Sequence, residues 1–176
     1  MADVARIGRL ESHPISMDFH KRLEKAIQRG FRASDARERA QAERALNEQE
    51  LARLHSQYRL DISERIERCL REVADQFPGF RFETLYGEKG WGAAISRDDL
   101  HVRAKRRTSL FSRLEMVIRP PNEYHVLELA AKGTVNNREI FNRSQYQQLT
   151  EVDLTTFHEW VDNWSLEFAE LYAAKS

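Results

Sequence analysis

The sequence predicts an α+β fold: an N-terminal helical arm or hairpin, an antiparallel β-meander of about five or six strands, and a C-terminal amphipathic helix packed on the sheet. Three observations carry that expectation. From Asp35 to Gln76 the chain runs for 42 residues without Gly or Pro. Beyond Pro78 the apolar period drops to two and turn residues recur at short intervals. From Leu154 to Leu171, apolar residues return at spacings of three and four.

Residues 1–15 read as a flexible arm that ends at His13-Pro14, because the residue before Pro is pushed out of helical geometry. Ser16 can cap a helix, and Met17, His20, Leu23, Ile27 and Phe31 follow at helical spacing. Gly30 reads as a stop and Ser34 as a new N-cap, which allows residues 17–30 to fold back on 35–50 as a helical hairpin. A helix from 35 to 76 would measure about 63 Å at 1.5 Å per residue, too long for a domain of about 100 residues. Its second half carries a strong apolar stripe of Ile62, Ile66, Cys69, Leu70, Val73 and Phe77, which should dock on the core. Its first half is lined mainly by alanines and by Leu46, and should project or find a partner. Leu51, Leu54 and Tyr58 join the two. Leu23, Ile27, Leu46, Leu51, Leu54 and Tyr58 are therefore the candidate arm interface. The domain expectation is a flexible segment 1–15, a helical arm 16–77, and one globular core 78–176.

Pro78-Gly79 closes the helical block. Phe80, Phe82 and Thr84 alternate with Arg81, Glu83 and Leu85 in a first strand, and Tyr86–Gly90 is a turn. Trp91–Ser96 reads as the second strand, Arg97-Asp98-Asp99 as a turn, His101–Thr108 as the third strand and Leu110–Arg119 as the fourth. After the Pro120-Pro121-Asn122 turn comes a fifth strand, Tyr124–Ala131. Lys132-Gly133 is a turn or bulge before a sixth strand around Ile140-Phe141. In the last helix, capped by Asp153 or Thr150, Leu154, Phe157, Val161, Trp164, Phe168 and Leu171 form the stripe that faces the sheet.

The 28 basic and 28 acidic residues balance, but not locally. Residues 77–150 hold 12 basic and 8 acidic groups, whereas 151–176 hold one and six. As a single strand, 101–108 would set His101, Arg103, Lys105 and Arg107 on one face, which makes them the candidate polyanion-binding residues. The competing expectation is that this basic strand receives the acidic last helix.

Chemistry-bearing motifs are few. No nucleophile elbow, phosphate loop or zinc-protease motif occurs. Gly87–Gly92 lies between strands and opens no helix, so it reads as a hairpin turn in which Gly92 eases close packing. The six His residues are scattered; His158 and Asp162 share a helix face, but no third ligand is in range of that pattern. Asp98-Asp99 in a turn serves the turn, and Cys69 on an apolar stripe is a buried, inert thiol. No catalytic residue, metal or cofactor is expected.

Met1–Leu10 lacks the apolar block of a secretory signal, and no run of residues suits a membrane span, so a cytoplasmic location without a membrane partner is expected. The first functional expectation is a non-enzymatic interaction or adaptor protein that uses its helical arm for self-association or for binding a partner protein. The alternative is a nucleic-acid-binding domain using the basic sheet face. A third is a small-ligand pocket between sheet and last helix, with Trp160 or Trp164 in its wall.

Overall fold

Helical, then strand-like, then helical periodicity becomes one long helix, five strands and a last helix. The computed structural model describes residues 15–103 and 106–175, with the side chains of 19–100 and 108–175. Of residues 1–15, read from the sequence as a flexible arm, 1–14 lie outside the described residues and Ile15 opens the first helix. Helix α1 spans Ile15–Gln76. Strands β1 (Arg81–Leu85), β2 (Trp91–Arg103), β3 (Arg106–Ile118), β4 (Val126–Val135) and β5 (Arg138–Gln148) follow. A 3-10 turn at Leu149–Glu151 leads into helix α2, Leu154–Ala173.

Of the helical arm or hairpin that the sequence allows, the structure has the uninterrupted helix. Residues 30–34 are helical, and α1 runs on without a break to Gln76. Gly30 meets no atom within 4 Å of where a Cβ would stand. A glycine inside a helix costs only about 1 kcal/mol relative to alanine, too little to stop a helix with good formers on both sides. By contact, the chain divides at residues 47 and 48, so the second unit comprises the end of α1 together with the sheet and α2.

In that second unit the strands follow one another in the order β1-β2-β3-β4-β5, each antiparallel to the next. The period-two pattern sends alternate residues to one face. Ala93 and Ile95 of β2, Leu114, Met116 and Ile118 of β3, and Leu127 and Leu129 of β4 are buried there. Ile62, Ile66 and Leu70 of α1, with Phe157, Val161, Trp164 and Phe168 of α2, complete the same core. The stripes read from both helices thus meet on one side of the sheet. On the other side, Arg113 bridges Glu83 at 2.5 Å and Glu115 at 3.0 Å, and Lys132 reaches Glu139 at 3.2 Å. Asp153 caps α2 as expected, its Oδ1 accepting from the Thr155 amide at 3.0 Å.

Three strand boundaries differ from expectation. Arg97-Asp98-Asp99 is not a turn but the middle of β2, opposite Ser112, Phe111 and Leu110. Side-chain partners hold these polar residues in the strand: Arg97 donates to Asp99 Oδ1 and to the Pro78 carbonyl, each at 2.7 Å. The single strand expected over His101–Thr108 is instead the end of β2, at Arg103, and the start of β3, at Arg106, which pair antiparallel. Lys132-Gly133 lies inside β4, where a register shift between Gly133 and Thr134 marks the irregularity. The chain turns at Asn136 and Asn137, whose positive φ values of 50° and 66° fit the tight hairpin turn that asparagine tolerates.

Candidate functional site

Within the first unit, every described side chain of α1 from Phe19 onward is exposed, and exposure continues to Glu50. Phe19, Leu23, Ile27 and Phe31 follow at intervals of four, so they form one ridge along the helix. They are between 43% and 68% exposed, a large apolar area for one stripe. Of the expected arm interface, Leu23, Ile27 and Leu46 are exposed, whereas Leu51 and Tyr58 pack against the core of the second unit and Leu54 is half-buried. Phe19 was missed because the helical count was anchored on His20; counting back by four from Leu23 finds it.

The polar chemistry lies between α1 and α2. Arg65 Nε donates to Asp162 Oδ1 at 2.8 Å, and Arg65 Nη2 donates to Asp162 Oδ2. Cys69 Sγ lies 3.4 Å from the same Oδ1. The Arg65 hydrogen bond holds the Asp162 carboxyl below its ordinary range. Burial, then the Asp162 carboxylate, pushes the Cys69 thiol up to about 11. At neutral pH Cys69 is therefore a protonated thiol, not a nucleophile. His158 and Asp162, the pair with metal-like spacing, each turn to α1: His158 Nε2 sits 2.6 Å from Asp61 Oδ1. Among the described residues no three His, Cys, Asp or Glu side chains gather as metal ligands.

Elsewhere, His55 is buried, 2% exposed, with Nε2 3.1 Å from the Arg119 carbonyl. A carbonyl only accepts, so the ring donates from Nε2. Its edge meets Trp91, over which Arg59 stacks at 4.2 Å. These contacts tie α1 to the sheet.

The candidate polyanion-binding residues fall on two strands. His101 and Arg103 end β2, Arg107 lies on β3, and Lys105 lies outside the described residues. The register sets Arg107 opposite Val102 and Arg103 opposite Arg106, so a count of alternate residues does not carry through all four. β1 stops opposite Ser96 and β4 stops opposite Arg113. From Arg97 to Arg103 and from Arg106 to Ser112, β2 and β3 pair only with one another, as a two-stranded ribbon. Asn137 clamps the base of that ribbon: its Oδ1 accepts from the Phe111 amide and its Nδ2 donates to the Ser109 carbonyl, both at 2.8 Å. Leu100, Thr108 and Ser109 beyond the clamp are exposed. Of the acidic residues of α2, Asp162 pairs with Arg65, and Glu167 with Arg143 through bonds of 2.9 and 3.0 Å.

No protein-family model, curated protein or solved structure matches this chain. Its function must be read from its own surfaces. Between the sheet and the last helix, Trp164 is 6% exposed and belongs to the core, with Trp160 packed against it. A concavity of about 760 Å³ lies between α1 and α2, lined by Arg65, Cys69, Glu72, Phe77, Asp162 and Leu166 among others, with neither Trp160 nor Trp164 in its wall. Among the described residues no helix is long and apolar enough to cross a membrane.

Proposed function

We propose that this chain is a non-enzymatic interaction protein that self-associates through residues 19–46 of α1, pairing that segment with its copy in an antiparallel, twofold arrangement. The observation that carries this reading is the exposed ridge Phe19–Leu23–Ile27–Phe31. Charge selects the partner. Lys21, Arg22, Lys25, Arg29 and Arg32 surround the ridge against only Asp18 and Glu24. Asp35, Glu38, Glu43, Glu48 and Glu50 outnumber Arg37, Arg39 and Arg44 in the following stretch. Laying ridge on ridge would bring basic flanks together. An antiparallel pair centred near Ser34 instead lays each basic half beside the acidic half of the other copy. A contact of this kind is isologous and closes as a dimer.

Sedimentation equilibrium of the full chain tests the reading. The expected mass is twice 20.7 kDa, with dissociation rising as salt screens the charge pairing. Leu23→Asp with Ile27→Asp should return a monomer whose sheet unit melts unchanged. A monomeric parent at tens of micromolar, or a dimer indifferent to those two substitutions, would exclude the arm as the interface.

A further inference from the structure

We propose that the groove between α1 and α2 docks a basic amphipathic helix of a partner protein, with its apolar anchors against Phe77 and Leu166 and its Lys or Arg side chains beside Glu72 and Asp75. The groove belongs to the second unit and does not rest on self-association through residues 19–46.

The two helices run parallel here. Asp61 meets His158, Arg65 meets Asp162, and Phe77 meets Tyr172 with ring centroids 5.0 Å apart, so both helices advance together. Between them lies the concavity of about 760 Å³. Its apolar lining is Cys69, Val73 and Phe77 of α1 with Ala169 of α2, all in the core or packed against it. Ser165 is buried, and its hydroxyl is spent on the Val161 carbonyl at 2.7 Å. Leu166 in the same lining is 67% exposed, whereas Val161, Trp164 and Phe168 of α2 are buried. From Arg65 to Gln76 the α1 wall measures about 16 Å at 1.5 Å per residue, roughly three turns. A third helix packing ridges into this groove spans that length with anchors at i, i+4 and i+7. A small molecule fits less well. Such sites enclose most of their ligand, whereas Glu72, Asp75, Gln76 and Leu166 are all exposed.

Charge selects the occupant. Three carboxylates, Glu72, Asp75 and Asp162, line the groove against one cation, Arg65. Arg65 is already held by both oxygens of Asp162. Among the described residues Glu72 and Asp75 enter no ion pair. Asp75 stands in the last turn of α1, which carries no basic residue, so its charge adds to the negative end of the helix dipole. Lys or Arg on the occupant offsets both carboxylates, and an acidic helix is repelled. Apolar contacts and unpaired acids side by side in one groove call for the pattern of a basic amphipathic helix.

The test is fluorescence anisotropy of the full chain with a labelled synthetic peptide, Leu at i, i+4 and i+7 and Lys at the remaining positions. The expected result is binding that weakens as salt rises from about 50 to 200 mM, and none for the same peptide with Glu in place of Lys. Leu166→Gln should weaken binding about tenfold, the scale of a lost anchor. Glu72→Lys with Asp75→Lys should abolish it. All three positions are exposed, so the melting temperature should hold in each variant. Should the double variant unfold, Glu72→Gln alone should still weaken binding and flatten its salt dependence. Leu23→Asp with Ile27→Asp should leave binding unchanged, which separates this groove from the arm. No binding at the lowest salt, equal binding of the Glu peptide, or indifference to Leu166→Gln and to charge reversal overturns the proposal. Tighter binding of a peptide spanning residues 17–34 of this chain overturns the partner and makes the occupant a second copy.

Discussion

Arg65 on α1 and Asp162 on α2 meet through a forked ion pair, and four residues earlier on each helix Asp61 and His158 meet at 2.6 Å. The order of charge is acid then base on α1, base then acid on α2. Sliding one helix by a turn would set Arg65 against His158 and leave Asp162 without its partner. The pairs thus fix the register in which the two apolar stripes reach the sheet.

Asp162→Asn should therefore cost about 1 kcal/mol, below the roughly 1.5–3 kcal/mol of a hydrogen bond to a charged group, because both partners remain about a third exposed and solvent screens them. The pH dependence has a definite sign. Arg65 bonding lowers the carboxyl of Asp162 in the folded state from its ordinary 3.8, so the contribution is complete above that value and is lost as pH falls further. Urea denaturation at pH 5 and pH 3 should show the gap between parent and Asp162→Asn closing in acid. A gap that persists at pH 3 would mean that Asn disturbs packing instead.

His55 titrates in the opposite direction from a histidine that gains an acidic partner. Burial, the leading cause, lowers its pKa, and Arg59 adds to the shift, while the Arg119 carbonyl opposes it. The folded chain thus resists protonation that the unfolded chain accepts. Stability from this residue is complete above the ordinary 6.5 and declines as pH falls below it. His55→Gln should weaken the protein at pH 7.5 by about 1–3 kcal/mol, the cost of disturbing a buried hydrogen bond. It should also flatten the decline in melting temperature between pH 7 and 5. An equally steep decline in the variant would assign the acid sensitivity to other groups.

Much of this architecture is legible in the sequence because periodicity reports burial directly. Ile62, Ile66 and Leu70, and Phe157, Val161 and Phe168, recur at helical spacing and occupy the core. What is not legible depends on partners distant in sequence. Asp99 looks like a turn residue until Arg97, itself anchored on the Pro78 carbonyl, holds it in a strand. Basic residues 103–107 look like one strand face because no Gly or Pro marks the reversal between Arg103 and Arg106. His158 and Asp162 share a helix face, but nothing local says that Asp61 and Arg65 lie 97 residues back to receive them. Gly30 resembles a helix stop only if its neighbours need one.

Cys69 should be inert in the folded protein. With its thiol pushed up to about 11, only a minute fraction is thiolate at pH 7.5. Reaction with an aromatic disulfide reagent should be far slower than for free cysteine, and should accelerate on adding urea. Asp162→Asn should speed the native reaction, since it removes the acceptor and the negative charge that raise the thiol. Unchanged reactivity in that variant would leave burial alone as the cause.

Two glycines make opposite predictions from the same substitution. At Gly92 on β2, a Cβ would stand 2.0 Å from the Met116 carbonyl oxygen and 2.9 Å from the Val117 Cα, both backbone atoms of β3. Neither can yield without parting strands in the centre of the sheet, so Gly92→Ala should abolish folding or cost several kcal/mol, beyond the roughly 1–3 kcal/mol of ordinary overpacking. Gly30 sits in an exposed, open stretch of α1 with nothing within 4 Å. Gly30→Ala should therefore stabilise the helix by about 1 kcal/mol, the difference in propensity, and raise the helical circular dichroism signal. The same change leaves the ridge Phe19–Phe31 intact, so dimer mass should hold or increase. A Gly30→Ala variant that loses helix would show that residues 30–34 are the bend that the sequence suggests.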